Sequence, residues 1–434
     1  MTPPLYRNDA PGQFPASWYA ATATIPDRRP AVSSDLRADV AIVGAGYTGL
    51  HAALELRKHG LSVIVLDAHR AGWGASGRNG GQVGSDFNKG QLWLEARVGR
   101  DTAKSLWSLA QEAAGMVRDF CTLAAPLAQY KPGIAWGQYD TDLSDIRAEV
   151  DHLDRHYPGH GMTALDRDGI QALIRSEKYN GGTLNMQAGH IHPLNYVLAL
   201  AAAAETAGAV IYEGTEVTRL DTGGRVTLHT PGGRVTADHV ILAGNGYIRG
   251  LATANDARVM PINSFIGATE PLGDLAEEVL TQDIAACDSS FVVNYFRLTA
   301  DKRLLFGGRA NYSLTFPADM GGELHKRMVE MFPQLAGTRF SHTWGGTLGV
   351  TMTRLPYVRA ITPNILSAGG YSGHGVALAG LAGRVMAEAV AGQAGRFDTL
   401  GQLPVPPFPL GHYAQETMLP LAMTWFTLRD NLGI

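Results

Sequence analysis

The feature that most constrains this chain is the run Asp39-Val-Ala-Ile-Val-Gly-Ala-Gly-Tyr-Thr-Gly-Leu50, with Asp67 following eighteen residues after Gly49. Val40 to Val43 is a short apolar stretch rich in β-branched residues, the composition of a buried strand. After Gly46, Leu50, Ala53, Leu54 and Leu56 return on one helical face. A second apolar strand, Val63 to Leu66, ends at Asp67. The pattern predicts a βαβ unit with glycines at its first turn. Gly44 permits the tight turn, Gly46 lets the main chain approach a pyrophosphate, and Gly49 lets the helix lie close on the strand. The helix N terminus brings free N–H groups and a positive dipole end. Asp67 is placed to accept hydrogen bonds from ribose hydroxyls. The N-terminal part of the chain is therefore expected to bind a dinucleotide.

A chain of 434 residues has room for two substantial cores. Its net charge is -4 and no long Lys or Arg run occurs, so the electrostatic footprint of a nucleic-acid binder is missing. Cys121 and Cys287 are the only cysteines, which rules out a disulfide framework and fits a reducing, cytoplasmic setting. No signal-peptide pattern opens the sequence. No apolar run approaches the roughly 20 residues that span a bilayer. The Ala-rich stretch from Val197 to Ala204 reads as a packed helix.

Residues 1–35 read as an extended arm laid on the surface through Trp18 and Tyr19. The dinucleotide-binding domain is expected in three pieces, 36–100, 160–255 and 355–400, interrupted by a substrate domain in 101–159 and 256–354 and followed by an extension over 401–434. Ala71 to Gln82 holds five glycines and reads as irregular. Pro193 opens a helix that Gly208 closes. Ala209 to Tyr212, Thr215 to Leu220, Arg225 to Thr230 and Arg234 to Ala237 read as strands, the last two joined by a hairpin turn at Pro231-Gly-Gly233. His239 to Asn245 is a further buried strand ending in glycine. Ser264 to Glu270, Phe291 to Leu298 and Leu304 to Gly307 suggest a mostly antiparallel sheet. Asn364 to Val376 is a second strand-to-glycine-loop element, leading into an amphipathic helix over Ala377 to Ala391.

The dinucleotide unit alone suits NAD, NADP or FAD. Its N-terminal position, the second glycine-rich turn late in the chain, and the β-rich insertion favour FAD. A late helix N terminus aimed at a flavin stabilises the negative charge that reduction places on the ring, a need that nicotinamide does not have. The fold class is thus α/β, an FAD-binding Rossmann-like βαβ domain interrupted by a mostly antiparallel β substrate domain with helices.

At this point the chain resembles the D-amino-acid oxidase superfamily of FAD-dependent amine oxidoreductases, and within it the bacterial enzymes that oxidise γ-glutamylated putrescine. The resemblance covers nearly the whole chain. It is carried by Gly44 to Gly49, Gly74 to Gln82, Gly189 to Asn195, Arg297 to Asp301, Phe332 to Leu335, Gly370 to Val376 and Leu428 to Asp430. It implies hydride transfer from the carbon next to an amine, imine hydrolysis to aldehyde and ammonia, and reoxidation by oxygen or another acceptor. A small-molecule amine is the implied partner.

The resemblance also implies cofactor contacts. They fall at Gly44, Gly46, Tyr47, Thr48, Gly49, Asp67, Ala68, Gly74, Ala75, Ser76, Arg78, Asn79, Gly80, Gly81, Gln82, Val217, Asn245, Gly370, Gly373, His374, Gly375 and Val376. Arg78 suits a phosphate, and consecutive glycines suit close approach. His374 and Tyr371 are the catalytic candidates, with a loop-positioning role the alternative for His374. Tyr295, Arg297, Tyr312 and Trp344 are candidates to line the substrate pocket, Arg297 as partner of a glutamyl carboxylate. Packing is the competing reading for each. His190 and His192 read as capping or packing residues and no metal is expected. Cys121 and Cys287 lie outside the glycine loops; some members of the family this chain resembles attach flavin through a cysteine late in the chain, and Trp344 to Pro356 has none, so FAD is expected to be noncovalent. Secondary amines and D-amino acids are the alternative substrates. An RNA-modifying flavoenzyme and a non-catalytic FAD subunit are the alternatives of another class.

Overall fold

A computed structural model describes residues 4–290, 292–311 and 315–409. Two sheets organise them. The first has the order Tyr357–Thr362, Ile365–Gly369, Gly233–Leu242, Leu36–Val43, Val63–Leu66, Val210–Tyr212. The strands from Ile365–Gly369 to Val210–Tyr212 run parallel, while Tyr357–Thr362 pairs antiparallel at the edge. Alternation sets its two faces. Val40, Ile42, Val63, Val65 and Ile241 point into one core, whereas Ala41, Ile64, Leu66, Val240 and Leu242 point into the other. Each fully buried Val or Ile contributes roughly 1.5–3 kcal/mol. The glycine-turn helix, Tyr47–Lys58, buries Leu50, Ala53 and Leu56 on the first of these faces.

The second sheet has nine strands, antiparallel except where Ala285–Asp288 runs parallel to Lys131–Gln138. Its outer face packs Phe265, Phe296, Phe306 and Phe332 with Leu324 and Met328 of the helix Gly321–Met331.

Several expectations are corrected. The segments 234–237 and 239–242 form one strand, Gly233–Leu242. Its first half is a hairpin arm against Val226–Thr230, and its second half pairs with Ile365–Gly369. Of the strand expected over Thr215 to Leu220, only the end is extended, in Arg219–Asp221. The late helix, Gly375–Val390, is buried almost all round and is not amphipathic, because it packs against both Tyr47–Lys58 and Arg100–Leu123. The arm is anchored through Trp18 and Tyr19, which are 6% and 0% exposed, but it is not extended throughout, since Pro4–Arg7 and Trp18–Thr22 are short helices. Strands Met162–Leu165 and Gly181–His190 pair in the second sheet, so the sheets divide the chain differently from the boundary drawn at residue 160. The longest strand, Phe340–Val350, was not foreseen. Gly345, Gly346 and Gly349 interrupt its pattern, and each is small because Phe316 and Phe265, Arg78, or Asn245 packs directly on it. The apolar run Met418 to Leu428 lies outside the described residues. Among those described, no helix is long and apolar enough to cross a membrane.

Candidate cofactor site

The parallel strands of the first sheet end on one cavity, the position at which open α/β sheets bind ligands. Val43, Asp67, Ala243 and Tyr371, each at or just beyond a strand end, line it. Gly44 has φ +109°, and a Cβ there would sit 2.9 Å from the Ala243 carbonyl oxygen. A Cβ on Gly46 would sit 2.8 Å from Ser76 Oγ. The turn is therefore built to expose bare main chain.

Two helix N termini open on this cavity, that of Tyr47–Lys58 and that of Gly375–Val390. Neither has a side-chain cap. Tyr47 N–H donates to Ser76 Oγ (3.1 Å), and the remaining first-turn N–H groups have no partner within their helices. The helices approach closely because Gly380 and Gly383 of the late helix lie against the His51 ring and the Thr48 carbonyl. Convergent N–H groups and positive dipole ends are a donor set for negative charge. A dinucleotide carrying a pyrophosphate and a reducible ring fits it.

Asp67 closes the turn. Its Oδ2 accepts from Ala45 N (2.8 Å) and its Oδ1 from His69 N (2.8 Å). Burial raises its pKa, those two bonds oppose the shift, and Glu213 adds to it; the carboxyl is pushed up to about 6. Asn245 holds φ +50° and accepts a hydrogen bond from Gly370 N (2.8 Å), joining two strand-end loops. Thr48 and Tyr371 share a buried hydrogen bond of 2.7 Å that ties the 370 loop to the glycine-turn helix. The Tyr371 hydroxyl, a catalytic candidate in the sequence, is thus occupied, and burial raises its pKa.

Gly44, Gly46, Tyr47, Thr48, Asp67, Ala68, Gly74, Ala75, Ser76, Asn79, Val217, Asn245, Gly373, Gly375 and Val376 all line the cavity. Gly49 acts from behind it, since a Cβ there would overlap the Gly44 carbonyl. Gly370, Gly80, Gly81 and Gln82 do not line it. Nor does Arg78, expected at phosphate: its Nη1 bonds Asp9 (2.7 Å) and Gly345 O, its Nε bonds the Trp73 carbonyl, and its guanidinium lies 4.3 Å from the Trp73 ring. It fastens the glycine loop to the N-terminal arm and the second sheet. His374 turns away from the cavity and pairs through Nε2 with Asp86 Oδ1 at 2.9 Å. Burial opposes charge on this ring, but Asp86 outweighs it and the imidazole pKa is raised.

The substrate-pocket candidates are also redistributed. Arg297 is 4% exposed and donates to Gly80 O (2.9 Å), Ile191 O (2.9 Å), Leu298 O (3.2 Å) and Tyr19 OH (3.4 Å). A guanidinium so engaged has no donor pair left for a carboxylate. Trp344 is buried, donates from Nε1 to Arg78 O (2.9 Å) and meets Tyr19 edge-on. Tyr295 keeps partial exposure, with its ring against Gly80 and Gly307. Tyr312 lies outside the described residues. His192 caps the helix Pro193–Thr206 by accepting from Asn195 N, and His190 pairs with Asp283. Among the described residues no group of three metal-ligating side chains occurs. Burial pushes both thiols up to about 12, and neither cysteine lines the cavity.

Sequence reasoning missed Leu5, His69, Trp73, Glu216, Tyr247 and Arg249, which also line the cavity. Trp73 stood in plain view between Gly72 and Gly74, and His69 stacks on it at 3.6 Å. Nothing local marks Leu5 or Tyr247.

A family model described as FAD dependent oxidoreductase matches residues 39–389. A probable oxidoreductase, OrdL, of Rhizobium meliloti is 40% identical over 418 residues, 95% of this chain and 97% of its own. The γ-glutamylputrescine oxidoreductase of Escherichia coli is 35% identical over 422 residues, 96% of this chain and 99% of its own. Among solved structures, glycine oxidase from Geobacillus kaustophilus superposes with a TM-score of 0.65 at 22% identity, covering 82% of this chain and 95% of that one. At that identity the likeness concerns the fold.

Proposed function

The chain belongs to the FAD-dependent oxidoreductase family, and from that premise we propose that it oxidises γ-glutamylputrescine or a related γ-glutamyl polyamine. FAD, bound without a covalent link, supplies a hydride acceptor for the carbon next to the amine, after which water converts the imine to aldehyde and ammonia. The observation that carries the reading is the pair of uncapped helix N termini facing one cavity, together with full-length similarity to an enzyme of that name.

Each residue has a distinct task. The first-turn N–H groups of Tyr47–Lys58 would hold phosphate, and Asp67 would accept from ribose. The N–H groups heading Gly375–Val390 would favour negative charge on a flavin bound there. Thr48, Tyr371 and Asn245 are positioning residues that keep the three loops in register. His374, turned toward Asp86, positions the Gly373 to Val376 turn, and Tyr295 would offer the aromatic wall. Hydride loss requires a neutral amine, and an enclosed site lowers an amine's pKa without a dedicated base. Oxygen is the proposed acceptor, with peroxide as product.

Anaerobic mixing of the FAD-loaded protein with γ-glutamylputrescine, putrescine, sarcosine and D-alanine tests this. Bleaching of the flavin by γ-glutamylputrescine alone, reversed by air with peroxide formed, is the expected result. Bleaching by sarcosine or D-alanine instead replaces the substrate with a secondary amine or a D-amino acid. Flavin released by acid precipitation checks the absence of a covalent bond.

A further inference from the structure

The loop that follows Gln82–Val83 carries an acid that the cofactor cavity does not use. Asp86 Oδ1 accepts from Asn88 N (2.8 Å) and pairs with His374 Nε2 (2.9 Å). Its Oδ2 makes no hydrogen bond or ion pair among the described residues, and 34% of the side chain is exposed. One oxygen is anchored and the other is open.

Its location gives that open oxygen meaning. His374 directly precedes Gly375–Val390 without a side-chain cap bond, and its neighbours Gly373, Gly375 and Val376 line the cofactor cavity. Asp86 therefore stands one side chain beyond the cavity wall formed by Gly373, Gly375 and Val376. It stands on the side of the second sheet, where Gln82–Val83 pairs. The Cys287 thiol is held neutral first by burial and then by Asp288 and Asp86. Its strand neighbours are Tyr295 and Trp136.

The cations point the same way. A site for an α-amino acid needs a cation for the carboxylate. Arg297 gives all three nitrogens to protein oxygens, and the late helix opens Gly375-Val-Ala-Leu378 with no cation in its first turn. We propose that Asp86 receives the substrate's amino group in its charged form through Oδ2, before that amine gives up its proton to solvent for oxidation, so that the site selects an alkylammonium with no neighbouring carboxylate. This rests on the reading that the protein oxidises an amine. It adds the residue that discriminates γ-glutamylputrescine, whose putrescine amino group ends an alkyl chain away from any carboxylate, from sarcosine and D-alanine, whose only amine sits beside a carboxylate.

The test uses butylguanidinium, a cation that stays charged and so gives no neutral amine to oxidise, and butyrate as its anionic counterpart. Each is titrated into FAD-loaded protein while the flavin spectrum is recorded. In the wild type, butylguanidinium is expected to perturb the spectrum and butyrate to bind more weakly. Asp86→Asn should weaken butylguanidinium by about tenfold or more, leave butyrate no weaker, and Asp86→Glu should restore most of the loss. Wild-type protein that prefers butyrate overturns the proposal, whether or not the variants fold. So does Asp86→Asn protein that retains FAD and binds butylguanidinium as the wild type does. Asp86-dependent cation binding in a protein that leaves γ-glutamylputrescine unoxidised would refute the proposed substrate while upholding the role of Asp86.

Discussion

The two sheets meet the cofactor cavity with different materials. The first presents main chain: Gly44, Gly46 and the N–H groups of two helices, with Asp67 and Asn245 bracing the turns. The second gives Leu348 and Gly349 to the wall, and behind them its long side chains hold the carbonyls of neighbouring loops. Arg297 takes Gly80 and Ile191, and Trp344 takes the Arg78 carbonyl. Cofactor recognition is thus written in backbone shape. The residues that look most chemical on the second sheet hold the loop between the sheets in place.

The contrast can be broken at its strongest point first. Gly49→Val would drive a side chain into the Gly44 carbonyl, at a cost of about 3 kcal/mol or more. The expected outcome is protein that is poorly soluble or free of FAD, measured as flavin per chain; normal FAD content would mean the turn is not the rigid element described. Next in size is Arg297→Met, which strips two buried carbonyls of their charged donor, a loss of about 3 kcal/mol. The midpoint of denaturant unfolding reads it. Should the midpoint hold while KM alone rises, Arg297 is a substrate ligand and the comparison between the sheets collapses.

A subtler effect concerns Asp67. Its folded carboxyl, at about 6 through burial, holds a proton that the unfolded chain has already lost. FAD-free protein should therefore lose stability as pH rises from about 4 to about 6. Asp67→Asn should flatten that slope, raise the melting temperature of FAD-free protein at neutral pH, and weaken FAD binding. Melting curves across that range decide it. The smallest effect belongs to the bond between Thr48 and Tyr371. Thr48→Val and Tyr371→Phe should each weaken FAD by about fivefold, near 1 kcal/mol. The double variant should be little worse than either one, and additive losses would show that the two residues act apart.

How much of this the sequence discloses follows the same divide. Backbone-built features leave local signatures: Gly44, Gly46 and Gly49 announce the turn, and Gly373-His-Gly375 announces the second one. Arg297 and Trp344 are visible as types, but what a guanidinium or indole bonds depends on carbonyls more than a hundred residues away. The strand Phe340–Val350 was hidden because its glycines answer to neighbours packed from other elements, against its own strand propensity. The single strand Gly233–Leu242 looked like two because its far edge changes partner midway. Asp86 went unremarked because a lone acid in a loop looks like any solvated residue.

The N-terminal arm carries a consequence for assembly. Leu5 forms part of the cavity wall. The arm around it is pinned by Tyr6 to Glu216, Gly12 to His69 and Asp9 to Arg78, while Trp18 and Tyr19 are sunk in the interior. A ribosome makes this stretch before any of the surfaces that hold it. It must therefore wait, and it is clamped only after residues 69, 78 and 216 have found their places. A segment made before its sockets becomes a late bolt on the chamber, and a dinucleotide leaving past Leu5 has to draw that bolt first.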